Sequence, residues 1–237
     1  NAVTGDFNTA VGALSLYNAE GVANTNTAIG YRAGYQVTTA SGSVLIGHQA
    51  GDNITTASGS VFIGVDAGGN VNTGNMNIGI GFNCFHNAAT GHHNIAIGVD
   101  AGNAVSSGED NILIGNQAGT AVSTATRNVF IGMQSGHDLS TGDGGNTGIG
   151  AFSLDNVTTG KDNTGLGFGT RPSANNAINQ TMVGKGATGQ VNNAVVLGDD
   201  DVTRVYMSQD GDAEMYANGT INTSDKRLKK DIQDSDL

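Results

Sequence analysis

A glycine preceded by an aliphatic residue returns along this chain at a nearly fixed interval, at Gly12, Gly30, Gly47, Gly64, Gly81, Gly98, Gly115, Gly132, Gly150, Gly167, Gly184 and Gly198. Successive spacings are 18, six of 17, 18, 17, 17 and 14 residues. The stretches NTAIGYRAG at 26, SVFIGVDAG at 60 and NIAIGVDAG at 94 are variants of one phrase. A unit of 17 residues cannot bury its own apolar face, so copies must stack and turn their apolar positions into a continuous core. Helices are a poor choice for the stacked unit, because 38 of the 237 residues are glycine and each costs about 1 kcal/mol against alanine in a helix. The apolar content is mainly Val, Ile and Ala, which suits thin layers of short strands. The expected fold is all-β: a parallel β-solenoid of about twelve rungs over residues 1–198. With about 4.8 Å between stacked strands, such a rod is roughly 55 Å long.

Counted from the repeat glycine, the columns carry physical meaning. Position −1 is Val, Ile or Leu in every rung, from Val11 and Ile29 to Val183 and Leu197, and position −3 is mostly Val, Ile or Thr. Residues two apart share one face of a strand. These two columns are expected to point inward, leaving position −2, with Leu45, Phe62, Leu113 and Phe130, as an outward column for a partner chain to cover. Position +3 is small (Ala33, Ala50, Ala67, Ala101, Ala118), and Cys84 in that column reads as a buried packing thiol. Position +7 is again apolar (Val37, Ile54, Val71, Val105, Val122, Leu139, Val157) and position +9 is Thr or Ser. Each rung is therefore expected to hold two short strands joined by glycine-containing turns. Asn recurs at −4 (Asn26, Asn77, Asn94, Asn111, Asn128, Asn146, Asn163), where stacked amides can bond along the rod as a structural ladder.

A slower period overlies this one. The rungs of Gly12, Gly81 and Gly150 lie 69 residues apart and carry Leu16, Phe85 and Leu154 at +4, where neighbours keep Gly34, Gly51 or Gly68. Four rungs thus form a higher unit. The three large residues are expected as apolar clasps between chains, about every 20 Å.

Several functions are disfavoured by composition. A formal charge of −11 opposes binding of phosphate backbones, so nucleic acid is not an expected partner. One cysteine gives neither a disulfide framework nor a thiolate metal site within one chain. No stretch approaches the roughly 18 apolar residues of a membrane span, and Asn1–Thr9 lacks the form of a signal peptide. His86, His92 and His93 fall on an outer turn without patterned carboxylates, and Asp199–Asp201 lacks the spacing of a calcium loop, so no metal and no cofactor is expected. The GIG triplets at 79–81 and 148–150 are repeat glycines, not nucleotide loops. Thr pairs such as Thr38-Thr39, Thr55-Thr56 and Thr158-Thr159 raise ice binding, but neighbours on a strand face opposite ways, so each pair offers one outward hydroxyl. A solenoid enzyme acting on polysaccharide would need an acid cluster shared by adjacent rungs, and none is evident; no activity on an external substrate is expected.

The rung, an Asn followed within four residues by Ile-Gly and then a small residue, resembles the head repeats of trimeric autotransporter adhesins, and similar rungs occur in fibres of tailed phages. The resemblance spans about residues 8–198. It implies a left-handed parallel β-roll assembled as a homotrimer. Adhesin rungs are usually shorter, and only the final spacing of 14 fits them closely.

After Gly198 the period stops. Residues 199–222, including VTRVYMSQDGDAEMYANGTIN, alternate like strands with a turn at Asp210-Gly211 and read as a β-stranded neck. Residues 223–237 begin TSDKRLKKDI, which resembles the junction into the intramolecular chaperone domain of endosialidase-type phage tail spikes and fibres. The family motif, Ser-Asp, two residues, Leu-Lys, maps onto Ser224, Asp225, Leu228 and Lys229. By that resemblance Ser224 is the nucleophile, Lys229 its base, and the chain is cut between Thr223 and Ser224. A Ser-Lys pair needs a neutral amine, which Lys226, Arg227 and Lys230 favour and Asp225 and Asp231 oppose. The residues alone favour a Ser224 cap on a short basic helix, and the family resemblance reverses that preference. Together the resemblances imply the trimeric rod of a tail fibre on a virion, meeting a host receptor that is expected to be a glycan. The alternative is a trimeric adhesin head on a bacterial cell surface. In a chain extended through its natural C-terminus, self-cleavage predicts a wild-type intact mass ending at Thr223 and an uncut Ser224→Ala variant; an uncut wild type would reduce Ser224 to a cap.

Overall fold

The structure, a computed structural model, describes residues 5–19, 23–142 and 144–205. Contacts divide the chain into Asn1–Asp201 and Val202–Leu237, and everything below concerns the first unit. The Ser224–Lys229 junction, and the neck beyond residue 205, lie outside the described residues.

Twelve strands, from Thr9–Val11 to Ala194–Leu197, form one parallel sheet in strict sequence order. Each strand contributes one rung. The register keeps every column vertical: Ile78 pairs with Ile95 and Ile95 with Ile112, while Gly79 stands over Ala96 and Ala96 over Leu113. The fold is thus all-β, a parallel β-solenoid of about 17-residue rungs, with no helix among the described residues.

The repeat glycine is dictated by this stacking. Gly30 has φ 138°, and a Cβ there would lie 2.3 Å from the carbonyl oxygen of Gly47; Gly47 has the same φ and would meet Gly64 oxygen at 2.2 Å. No other residue combines that backbone with that approach. Just ahead of it, the −4 column is a buried amide ladder. Asn111 donates from its backbone N and from Nδ2 to Asn94 Oδ1, at 3.0 and 2.9 Å, and from Nδ2 again to Ala125 O at 3.0 Å. Asn128 repeats the pattern on Asn111. These side chains satisfy main-chain groups that the strand leaves unpaired in the interior.

Three expectations need correction. The second strand is absent: each rung has one three- or four-residue strand, and the remainder is turn. The segment around +7 is coiled, not extended: Val37 N closes a turn onto Gly34 O at 3.1 Å and Ile54 N onto Gly51 O at 3.2 Å. The +7 column is nevertheless buried, with Val37, Ile54, Val122 and Leu139 at 0% exposure. Its main chain is tied to the next rung by shared acceptors, Thr55 O taking the N–H groups of Thr38, Thr39 and Ala40 at 3.1, 3.0 and 3.2 Å.

The second correction concerns facing. Leu45, Phe62, Leu113 and Phe130 at −2 are wholly buried in the core, whereas −1 and −3 point outward. Strand alternation requires −1 and −3 to share a face but does not say which one. The left-handed residues after the glycine fold the chain back over the −2 side, so the +3 and +7 columns close on −2.

The third correction is that Leu16, Phe85 and Leu154 are 0–1% exposed and belong to the chain's own core, not to clasps between chains. The 69-residue period is a rule of complementary volume. Where −2 is Leu or Phe, +4 is glycine: a Cβ on Gly68 would lie 2.5 Å from Phe62 Cγ, and one on Gly136 would lie 2.4 Å from Phe130 Cδ2. Where −2 is small, as at Ala10, Gly79 and Gly148, the space is filled from +4 by Leu16, Phe85 and Leu154. Where both positions are small, as at Ala28 with Gly34 and Ala96 with Gly102, it is filled from the rungs on either side, a Cβ on Gly34 lying 2.9 Å from Leu16 Cδ2 and 2.8 Å from Leu45 Cδ1. Phe85 meets Phe62 of the preceding rung edge to face, with ring centroids 6.4 Å apart. These three non-glycine residues accept φ of 46°, 52° and 55°, a strain of about 1–2 kcal/mol each, offset by burial of a large apolar side chain.

Cys84 occupies the +3 slot as expected, fully buried, and burial pushes its thiol from 9.0 up to about 12. Because the folded state favours the neutral thiol, its contribution is complete below the ordinary thiol value and is lost as pH rises from 9 toward 12. Native protein should therefore leave Cys84 unreactive to a disulfide reagent at pH 8 until denaturant is added; rapid labelling would contradict this burial. The volume rule predicts that Gly136→Leu lowers stability by about 3 kcal/mol, and that adding Phe130→Ala, which recreates the Ala10/Leu16 pairing, recovers much of the loss in thermal unfolding.

Candidate functional surfaces

The outward columns form a strip along the sheet. At −1 the exposed residues include Val11, Ile29, Ile80, Ile131, Ile149, Leu166, Val183 and Leu197, and exposure reaches 55% at Val11. At −3 the strip is aliphatic from Val44 through Val61, Ile78, Ile95 and Ile112 to Val129, and Thr replaces it in most rungs on either side. The two columns hold 24 positions, two in each of twelve rungs, and none is charged. The parallel register stacks like on like, so the strip is continuous.

A second surface lies past the glycine corner. Position +2 normally carries a side chain in the left-handed conformation, such as Arg32, Gln49, Asp66, Gln117 or Phe152. In the rungs of Gly167 and Gly184 it is Gly169 and Gly186, and a Cβ on Gly169 would meet no atom within 4 Å. The missing side chains open a cleft of about 460 Å³ lined by Phe152, Phe168, Gly169, Arg171, Lys185, Gly186 and Thr188. Phe152 and Phe168 meet edge to face at 5.6 Å. The main chain holds the walls in place: Gly169 N donates to Ala151 O at 2.9 Å, Gly186 N to Phe168 O at 2.8 Å and Arg171 N to Ala187 O at 3.0 Å. Arg171 Nη2 lies 3.3 Å from Asp155 Oδ2, while Asp155 Oδ1 is buried without a hydrogen-bond partner. The sequence carried a signal for this cleft, namely the loss of the +2 side chain in two successive rungs together with the chain's one proline, Pro172.

Nearer the start, Arg32 gives both arms of its guanidinium to Asp52, at 3.1 and 3.0 Å, and lies 4.3 Å above the ring of Tyr35, which stacks on Tyr17 at 5.3 Å. This cation is already paired and stacked, so the cluster serves as rung-to-rung bracing.

The remaining sequence candidates separate. His92 accepts a hydrogen bond at Nδ1 from Asn75 N at 3.0 Å, His93 lies 3.5 Å from Asp110, and the buried Nδ1 of His86 has no partner. Among the described residues no three His, Cys, Asp or Glu side chains stand together as metal ligands. The hydroxyls of Thr38 and Ser106 bond the carbonyls of Thr55 and Ser123 in the next rung, so position +8 is taken up within the wall. Among the described residues no helix is long and apolar enough to cross a membrane. Compared with protein-family models, with curated proteins and with solved structures, the chain matches none.

Proposed function

We propose that the chain is a structural segment of a trimeric fibre, the rod of a tail fibre that positions or forms a host-receptor-binding surface. One observation carries the reading: an uncharged, largely aliphatic strip runs along the outward face of the sheet, on a chain with 31 charged residues elsewhere. Soluble proteins seldom leave a contiguous apolar band facing water, and such bands mark association surfaces. A second copy of the same chain fits it well, because only a surface with the same rung spacing can match Ile for Ile over the whole length. The association face is thus the −1 and −3 columns, not the −2 column expected from the sequence. The number three, and the phage setting, rest on the resemblance of the rung and of the Ser224–Lys229 stretch to trimeric fibres.

Stiffness follows from the construction. Each rung bonds only to its neighbours, every rung does so with main-chain groups, and the amide ladder adds a second line of bonds in a dry interior. A rod of this kind transmits force and holds a binding surface at a distance.

Sedimentation of the parent chain should give a trimer. Ile80→Asp combined with Ile131→Asp should give a monomer with an unchanged circular dichroism spectrum, because both side chains point away from the core. Leu45→Ala should instead lower the melting temperature, at a cost of about 2–5 kcal/mol. A parent that sediments as a monomer would remove the fibre reading.

A further inference from the structure

We propose that the cleft at Phe152, Phe168, Arg171 and Lys185 is a binding site for a saccharide bearing a carboxylate. The cleft measures about 460 Å³, within the range of about 300–1,000 Å³ in which small ligands are held. Its construction is local and deliberate: in a stack where +2 otherwise carries a side chain, two consecutive glycines vacate that column and open the space. The neighbouring rings of Phe152 and Phe168 form one wall. Phe168 is 55% exposed, an apolar face that the C–H face of a pyranose ring can cover.

The charge pattern selects the ligand. The described residues of the first unit contain five Lys or Arg side chains, Arg32, Arg127, Lys161, Arg171 and Lys185, and two of them line this one cleft. No carboxylate lines it. Asp155 stands behind Arg171 and holds its guanidinium at 3.3 Å, and Asp199 and Asp200 line the adjoining hollow that shares Gly186 and Thr188. Lys185 forms no salt bridge among the described residues, unlike Arg32, which is fully engaged by Asp52. An anionic group therefore belongs against Lys185 and Arg171, where charge-assisted hydrogen bonds are available, and is repelled from the Gly186 wall, where Asp199 Oδ2 stands 3.3 Å from the place a Cβ on Gly186 would take. Thr188, which lines both the cleft and the adjoining hollow, donates its hydroxyl to Gly186 O at 3.2 Å, which leaves Oγ1 as an acceptor for a sugar hydroxyl. A carboxylate, a ring face and a hydroxyl are the three features of an acidic sugar. An extended acidic peptide matches only the first, and nucleic acid is opposed by the chain's charge of −11.

None of the cleft residues belongs to the −1 or −3 columns, so the site does not use the face proposed for association. It deepens the receptor reading, on which its biological role rests, by naming the chemistry recognised. The glycine column supplies a clean test. Gly169→Gln restores at φ 62° the residue that Gln49 and Gln117 already carry at +2 with φ 56°, so it should fill the cleft without disturbing the rung.

The experiment is a titration of the whole chain with sialyllactose and with digalacturonate, using lactose and an acidic hexapeptide as controls, on parent, Gly169→Gln and Lys185→Glu. The expected result is saturable binding of at least one acidic saccharide, weakened about tenfold or more by either variant, with the melting temperature unchanged and with lactose and the peptide bound much more weakly. No saturable binding of either acidic saccharide would overturn the proposal, as would equal binding of lactose or of the peptide, or binding indifferent to both variants. Sedimentation of the same samples separates the two readings. A trimer that binds neither saccharide retires the site alone, and a monomer that binds retires the fibre alone.

Discussion

The close approach of successive rungs at the repeat glycine governs the rest of the molecule. There the backbone of one rung lies so near the carbonyl of the next that a Cβ on Gly30, Gly47 or Gly64 would intrude to within 2.2–2.4 Å of it. That contact fixes the glycine, and the glycine's φ near 138° turns the chain out of the strand at the same point in each rung. Everything downstream inherits the register. The Asn amides stack because the main chain stacks, and the −2 side chains face the same interior slot in each rung. A one-residue slip in any rung would carry its core side chains to the solvent face, so the glycine acts as an index mark for the whole rod.

Within that frame the interior is filled by trading volume between the −2 and +4 positions of a rung and its neighbours. Phe62 and Phe130 at −2 require Gly68 and Gly136 at +4, and Gly79 and Gly148 at −2 admit Phe85 and Leu154 at +4. Close packing leaves little freedom for either position to change alone. The 69-residue period is therefore a packing rule before it is anything else. It also explains why the large residues at +4 tolerate a left-handed backbone, since the slot they fill is otherwise a cavity, whose cost in a core exceeds the strain.

The outer surface is built by the opposite principle. The core demands uniformity, but the turn residues at +1, +2 and +5 are free to vary, and the rod carries different chemistry at different heights. Tyr17, Tyr35, Arg32 and Asp52 brace the early rungs. An aliphatic strip occupies the outward sheet face. Near the last rungs, omission of the +2 side chain opens a cleft between Phe168 and Lys185. A repetitive scaffold separates these roles, because a surface substitution at one rung does not touch the columns that hold the stack together.

Periodicity alone established a stacked parallel β architecture, its rung length, the amide ladder at −4 and the buried thiol of Cys84, because each of these follows from residue identity repeating in register. The same letters did not reveal which face of the strand is inside. Alternation relates Ile80 to Ile78 but is symmetric between inside and outside, and both candidate faces were apolar, one with Ile and Val and the other with Leu, Phe, Ala and Gly. That choice is made by the left-handed turn after the glycine, a backbone property spread over residues as unlike as Gln49, Asp66 and Phe152. The second strand was misjudged for the same reason, since Val37 or Ile54 between turn residues looks identical whether the chain is extended or coiled. Leu16, Phe85 and Leu154 stood out as exceptions in sequence, yet only their close approach to Gly34, Gly102 and Gly165 of the following rungs made them core. The Phe168–Lys185 cleft was written as two missing side chains, and an absence becomes a site only when folding places its neighbours around it.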